Sequence, residues 1–214
     1  MADKFDYKKE YKDLYLPPKK PMVIEVPEMT FIAVDGQGDP NTCPAYRNAL
    51  EMLYGLSWTI KMSKMGGEKP PGYFEYVVPP LEGLWWVDDT LFNGFNIKEK
   101  GRFCWTSMIR QPEFVNMETL EWACKRLSAK KMGLDLAAAR LWTFQEGLCV
   151  QMMHIGSYDE EADSIQLLER FTEEAGYTID ISSKRRHHEI YLSDPRKCQK
   201  QNLKTVIRQP IKKA

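Results

Sequence analysis

The chain has 214 residues, 43% hydrophobic and 28% charged, enough for a substantial core and typical of a globular protein. Its 30 basic and 30 acidic residues cancel, which argues against nucleic acid as the main ligand, because phosphate binding draws on a basic excess. Five cysteines, an odd number without a Cys-x-x-Cys pair, read as reduced thiols, and neither a signal-peptide run nor the ~20 apolar residues of a membrane span is present. A cytoplasmic protein that makes no membrane contact follows as the expectation. The short basic clusters, among them Lys125 to Lys131 and Lys184-Arg185-Arg186, read as solvated helix ends or loops.

Residues 1–20 are charged and tyrosine-rich and read as an N-terminal arm before a single domain over 21–214. A strand follows through Val23, Ile24 and Val26 and on to Val34, stopped by Asp35-Gly36-Gln37-Gly38-Asp39-Pro40. Helix periodicity then runs from Pro44 through Tyr46, Ala49, Leu53 and Ile60, and Gly66-Gly67 end it. Strand-like runs follow at Tyr73 to Val78, Leu84 to Val87 and Phe103 to Met108. An inserted amphipathic helix is carried by Met117, Leu120, Cys124 and Leu127. Beyond it come a strand at Leu141, a turn at Glu146-Gly147 and a strand from Leu148 to His154. A helix capped by Asp159 buries Ile165, Leu168 and Phe171 and ends with Gly176 at C′. The strands His187 to Leu192 and Leu203 to Val206 complete the chain.

Ile-Arg-Gln-Pro occurs at Ile109 to Pro112 and again at Ile207 to Pro210, each time after a strand-like run. The upstream pattern repeats as well, so the chain reads as two β-α-β-β halves, 21–112 and 140–214, around a helical insert over 113–139. Both copies of the tetrapeptide are expected to end equivalent strands. Aligning Tyr76-Val77-Val78-Pro79-Pro80 with Tyr191-Leu192-Ser193-Asp194-Pro195 sets Phe74 opposite Glu189. The fold class expected is α+β.

Strand alternation puts His187, Glu189 and Tyr191 on one face and His188, Ile190 and Leu192 on the other. Glu189 is either wetted on an exposed face or sits at the floor of an aromatic pocket, where desolvation would suit it to general-base work or cation binding. Candidate ligand contacts are Tyr54, Phe74, Tyr76, Trp85, Trp105, Met108 and His187, and Trp85 and Trp86 cannot both face the same side. No spacing matches a metal-ligand pattern, a dinucleotide fingerprint or a nucleophile elbow, so no cofactor or metal is expected.

Several segments resemble the GyrI-like small-molecule-binding family: Phe31 to Asn41, Pro80 to Trp86, Trp105 with Met108 to Pro112, Glu146 to Glu160, and His187 to Lys197. They span almost the whole chain, and the similarity is strongest to the stand-alone branch that lacks a helix-turn-helix. The resemblance implies two pseudo-symmetric, SH2-like halves forming a curved antiparallel sheet, with a ligand cleft between two helices. Regulatory members bind amphipathic or cationic drugs there with a buried glutamate, and Glu189 falls where that glutamate is expected. Some stand-alone members hydrolyse cyclopropane-bearing DNA-alkylating compounds. For this chain that would make Glu189 the base and Tyr191 a donor to the developing phenolate; the alternative is a drug-binding or sensing protein without turnover. Ser157 departs from the proline many members carry after the glycine. The partner expected is a flat aromatic small molecule, and the protein itself a monomer or weak homodimer.

Overall fold

The computed structural model describes residues 4–87 and 100–214; Met1 to Asp3 of the expected arm lie outside them. In chain order the elements are α1 (Tyr7–Glu10), α2 (Lys12–Tyr15), β1 (Met22–Gln37), α3 (Pro44–Lys61), β2 (Leu81–Val87), β3 (Phe103–Arg110), α4 (Met117–Lys130), β4 (Arg140–Ile155), α5 (Ala162–Glu174), β5 (Tyr177–Ile179), β6 (His187–Tyr191) and β7 (Lys204–Lys213). The strands form one antiparallel sheet in the order β4-β1-β3-β2-β6-β7-β5, and β4 also pairs with β7, from Cys149 opposite Pro210 to Ile155 opposite Lys204. The expected curved sheet therefore closes into a barrel, which removes the free edges of β4 and β7.

Alternation along each strand sorts side chains between the barrel interior and the helix-covered outside. Outside, Ile32, Val34, Trp105 and Ile109 pack beneath Tyr46, Ala49, Leu53, Leu56 and Ile60 of α3. Inside, Phe31, Leu84, Met108, Ile190 and Val206 meet Tyr7, Leu14 and Tyr15. The N-terminal segment thus fills one end of the barrel, with Tyr7 and Tyr15 each only 1% exposed. A large apolar side chain buried this way stabilises the fold by ~1.5–3 kcal/mol. Helix α3 lies mainly on β1 and β3, and α5 on β4, β5 and β7. Because β2 and β6 sit between β3 and β7 in the sheet, they form the floor between the two helices.

Several expectations change. Residues 73–78 form no extended strand and hold only an isolated bridge, Phe5 to Tyr76; two prolines, Pro79 and Pro80, follow them and cannot donate to a ladder. Ladder register also removes the Phe74–Glu189 equivalence. Ile109 of the first tetrapeptide faces Leu81, and Ile207 of the second faces Glu189. The second Ile-Arg-Gln-Pro lies inside β7 rather than at its end. Glu146-Gly147 is no turn but a kink within the continuous β4, with Gly147 at φ 72°. Asp159 is not the cap of α5: it lies in the short turn Tyr158–Glu160 before the helix, and that turn is capped by Ser157, whose backbone N–H and hydroxyl both donate to the Glu160 carboxylate, at 3.1 and 3.0 Å.

Candidate functional site

On the outer face, β6 carries His187, Glu189 and Tyr191 side by side, as alternation requires. The Tyr191 hydroxyl donates to Glu189 Oε2 (2.8 Å) and accepts from Trp85 Nε1 (2.9 Å). His187 Nε2 lies 3.3 Å from the other Glu189 oxygen. Gly83 is the cross-strand partner of Glu189. A Cβ there would come within 2.7 Å of Trp85 Nε1 and 3.2 Å of the Tyr191 hydroxyl, so glycine is what lets the trio assemble. Gly36 does the same for Trp105, whose ring covers its cross-strand partner so closely that a Cβ would sit 2.3 Å away.

Aromatic side chains surround this carboxylate. Tyr46, in the first turn of α3, lies 5.8 Å from Trp85 and 5.0 Å, edge-on, from Trp105; Phe103 meets the other edge of Trp85 at 5.8 Å. Tyr158, in the turn leading to α5, makes an edge contact with Tyr191 at 5.7 Å. Burial, followed by the charges of Glu189 and Glu161, pushes the Tyr158 phenol up to about 12. Tyr191 is likewise held well above the ordinary tyrosine value, by burial first and then by Glu189.

A second carboxyl completes the site. Glu161 occupies the N-cap position of α5 yet makes no capping hydrogen bond. It is 6% exposed, and its Oε1 has no hydrogen-bond partner. Burial first, then repulsion from Glu189 and Asp159, holds its carboxyl well above the usual range. Glu161, His187 and Glu189 each offer one ligand-type atom, and these lie within 4.8 Å of one another, so the three residues could hold a cation. Among the described residues, no Lys or Arg pairs with either carboxyl.

The expected site residues separate accordingly. Glu189, Tyr191, His187 and Trp85 come together, while Trp105 lies beneath Tyr46 at 1% exposure. Tyr54 is 40% exposed on α3 and senses Asp194 and Arg196 of the loop after β6. Phe74, Tyr76 and Met108 do not join them; they pack in the cluster that fills the barrel. For Met108 the parity of β3 already said so, since Trp105 and Met108 must face opposite ways. Trp85 is the member of its pair that shares a face with Glu189 and Tyr191. Tyr46, Tyr158 and Glu161 escaped sequence reasoning because each read as an ordinary helix or helix-start residue.

The inner face of the same strands carries a second polar cluster. His188 places Nε2 3.1 Å from Glu82 and Nδ1 3.0 Å from Glu146, and Arg208 reaches Glu146 at 3.1 Å. Arg208 also donates to Gln151 (2.9 Å) and to the Leu14 carbonyl (2.9 Å), and Tyr15 donates to Glu82 (3.3 Å). Burial opposes every charge here, but the ion pairs overcome it: Glu146 is drawn down to about 2 and His188 raised to about 9. The other repeated arginine, Arg110, lies over the rings of Tyr7 and Tyr11 at 4.6 and 4.5 Å. Both tetrapeptide arginines thus fasten the N-terminal segment into the barrel.

No curated protein matches the chain. Among solved structures, a hydrolase from Listeria innocua is 44% identical with TM-score 0.89, and an uncharacterized conserved protein from the same organism is 46% identical with TM-score 0.92; each match covers 98% of this chain and 100% of the other. The EcmrR C-terminal domain, 14% identical over 91% of this chain and 98% of that one, shares the fold at TM-score 0.52. The model of the GyrI-like small molecule binding domain matches residues 19–212. With nine-tenths of its length matched, the chain belongs to the GyrI-like small molecule binding domain family.

Proposed function

We propose that the cleft binds flat aromatic molecules and hydrolyses cyclopropane-bearing alkylating compounds, with Glu189 as general base and Glu161 as proton donor. The observation that carries this reading is a pair of adjoining carboxyls in an aromatic surround, one held by hydrogen bonds and the other buried without a partner on Oε1. The hydrolase name of a relative at 44% identity lends support.

In such substrates a strained cyclopropane is conjugated to a dienone. Glu189 removes a proton from water as the water oxygen bonds to the exposed ring carbon. The ring C–C bond breaks, its electron pair moves into the ring system, and the carbonyl oxygen becomes a phenolate. Glu161, kept protonated by burial and by its carboxylate neighbour, gives that oxygen its proton. The balance is the addition of one water. Tyr191 spends its proton on Glu189 and its lone pair on Trp85, so it positions the base instead of serving as the donor. Tyr46, Tyr158 and Trp85 would flank the flat ring system. Sequestration without turnover is the second reading, favoured because no Lys or Arg among the described residues pairs with either carboxyl, which suits a cationic ligand.

The finer symmetry supports a shared ancestry of the halves. Phe31 faces Arg110 as Gln151 faces Arg208, and Leu81 faces Ile109 as Glu189 faces Ile207. Between the halves, Leu81 faces Tyr191 and Gly83 faces Glu189, which is the same pair exchanged by the same operation. We infer a duplication in which the position held by Leu81 in one copy became Glu189 in the other.

Incubation with a cyclopropane-bearing compound should yield a product one water heavier by mass spectrometry. In Glu189→Gln the rate should fall about a hundredfold or more, with binding by tryptophan quenching retained. Recovery of unchanged compound from the wild type, or full activity in Glu189→Gln, would sink the catalytic reading; tight quenching with unchanged ligand would favour sequestration.

A further inference from the structure

A cavity of about 480 Å³ opens in the barrel toward the ends of β2 and β3 remote from the N-terminal segment, lined by Leu84, Trp86 and Thr106 together with residues of β4 and of the loop before β6. That volume falls within the range of small-molecule sites, roughly 300–1,000 Å³. Its apolar wall is a platform: Trp142 and Phe144 stack at 4.6 Å with 19° between their planes. Its rim is basic. Arg140 lies over the Trp142 ring at 4.7 Å and Arg186 over the Trp86 ring at 4.6 Å. The lining holds Arg140, Lys184, Arg185 and Arg186; Asp35 pairs with Arg140 at 2.9 Å and Asp180 with Arg185 at 2.7 Å, offsetting two of these four positive charges.

The rim is built, not loose. Arg185 donates to Asp180 (2.7 Å) and to the carbonyls of Ile211 (3.1 Å), Glu146 (3.0 Å) and Leu148 (2.6 Å). Ser182 Oγ accepts from the backbone N–H of Arg185 at 3.2 Å. One arginine of the Lys184-Arg185-Arg186 run therefore anchors the loop, and its two neighbours line the cavity mouth.

We propose that this cavity is a second binding site, for a flat aromatic ring carrying an anionic group. The ring would stack against Phe144, at the end of the Arg140–Trp142–Phe144 stack, and the acid would meet Lys184 and Arg186 at the mouth. Its polarity is opposite to that of the Glu161–Glu189 cleft, so the two sites select different ligand classes.

Anilinonaphthalene sulfonate is a suitable probe, titrated against the whole protein by calorimetry. One saturable site is expected, weakened about tenfold or more by Trp142→Ala and by the exposed-loop variant Lys184→Glu, and unchanged in Glu189→Gln. Circular dichroism on each variant guards against loss of fold, and Lys184→Glu alters only a surface side chain. No saturable binding, binding retained in Trp142→Ala or in Lys184→Glu, or loss of binding in Glu189→Gln would overturn the proposal.

Discussion

Strand β6 presents two carboxylate systems on its opposite faces, and they differ in one respect. On the inner face Glu82 and Glu146 meet His188 and Arg208, so two negative charges face two positive ones. On the outer face Glu161 and Glu189 adjoin each other with His187 beside Glu189 and, among the described residues, no Lys or Arg paired with either. Burial is severe in both places. A buried carboxylate with full counter-charge is a fastening, whereas one without it is either protonated or waiting for a ligand. On the proposed function, adjacent residues, His188 and Glu189, serve structure and chemistry respectively.

The largest expected effect breaks the inner cluster. Arg208→Met strips Glu146 of its guanidinium and frees the Leu14 carbonyl, so stability should fall by ~3–5 kcal/mol. Urea denaturation measures this, and loss of less than about 1 kcal/mol would mean the cluster is not a fastening. Next comes pH. His188 is raised from 6.5 to about 9, so its contribution is complete below pH 6.5 and is lost as pH rises through 9. Glu146 is depressed from 4.5 to about 2, so its contribution is complete above pH 4.5 and lost on approaching 2. The urea midpoint should accordingly decline between pH 6.5 and 9, and His188→Gln should flatten that decline.

The smallest effect has the opposite sign. Because the Glu161 carboxyl is raised, ionising it in the folded protein is unfavourable, and the cost grows as pH rises above the ordinary value of 4.5. Glu161→Gln should stabilise the protein by about 1 kcal/mol at neutral and alkaline pH, with no gain at pH 4. Thermal melts at both pH values check it. A destabilised variant at pH 8 would show that Glu161 is a structural ion after all.

Much of this was legible in the chain. Helical spacing from Pro44 and the parity of β6 followed from local rules, and parity alone divided Trp85 from Trp86. The GyrI-like segments singled out Glu189, which the structure sets beside Tyr191 and His187. What escaped was long-range. Closure of β4 on β7 depends on pairing between residues about fifty to sixty positions apart, which no local pattern encodes. Glu161 read as a helix-start charge because Ser157-x-x-Glu160 is the capping signal, and only the fold turns the next residue toward Glu189. The repeated arginines read as strand ends; their burial could be known only once Tyr7 and Leu14 were seen inside the barrel.

The contrast between the two faces rests on one proton, and infrared spectroscopy can see it. At pH 7 the wild type should show the carbonyl stretch of a buried, protonated carboxylic acid. That band should vanish in Glu161→Gln and persist in Glu146→Gln. Its absence from the wild type, or its survival in Glu161→Gln, would contradict the account.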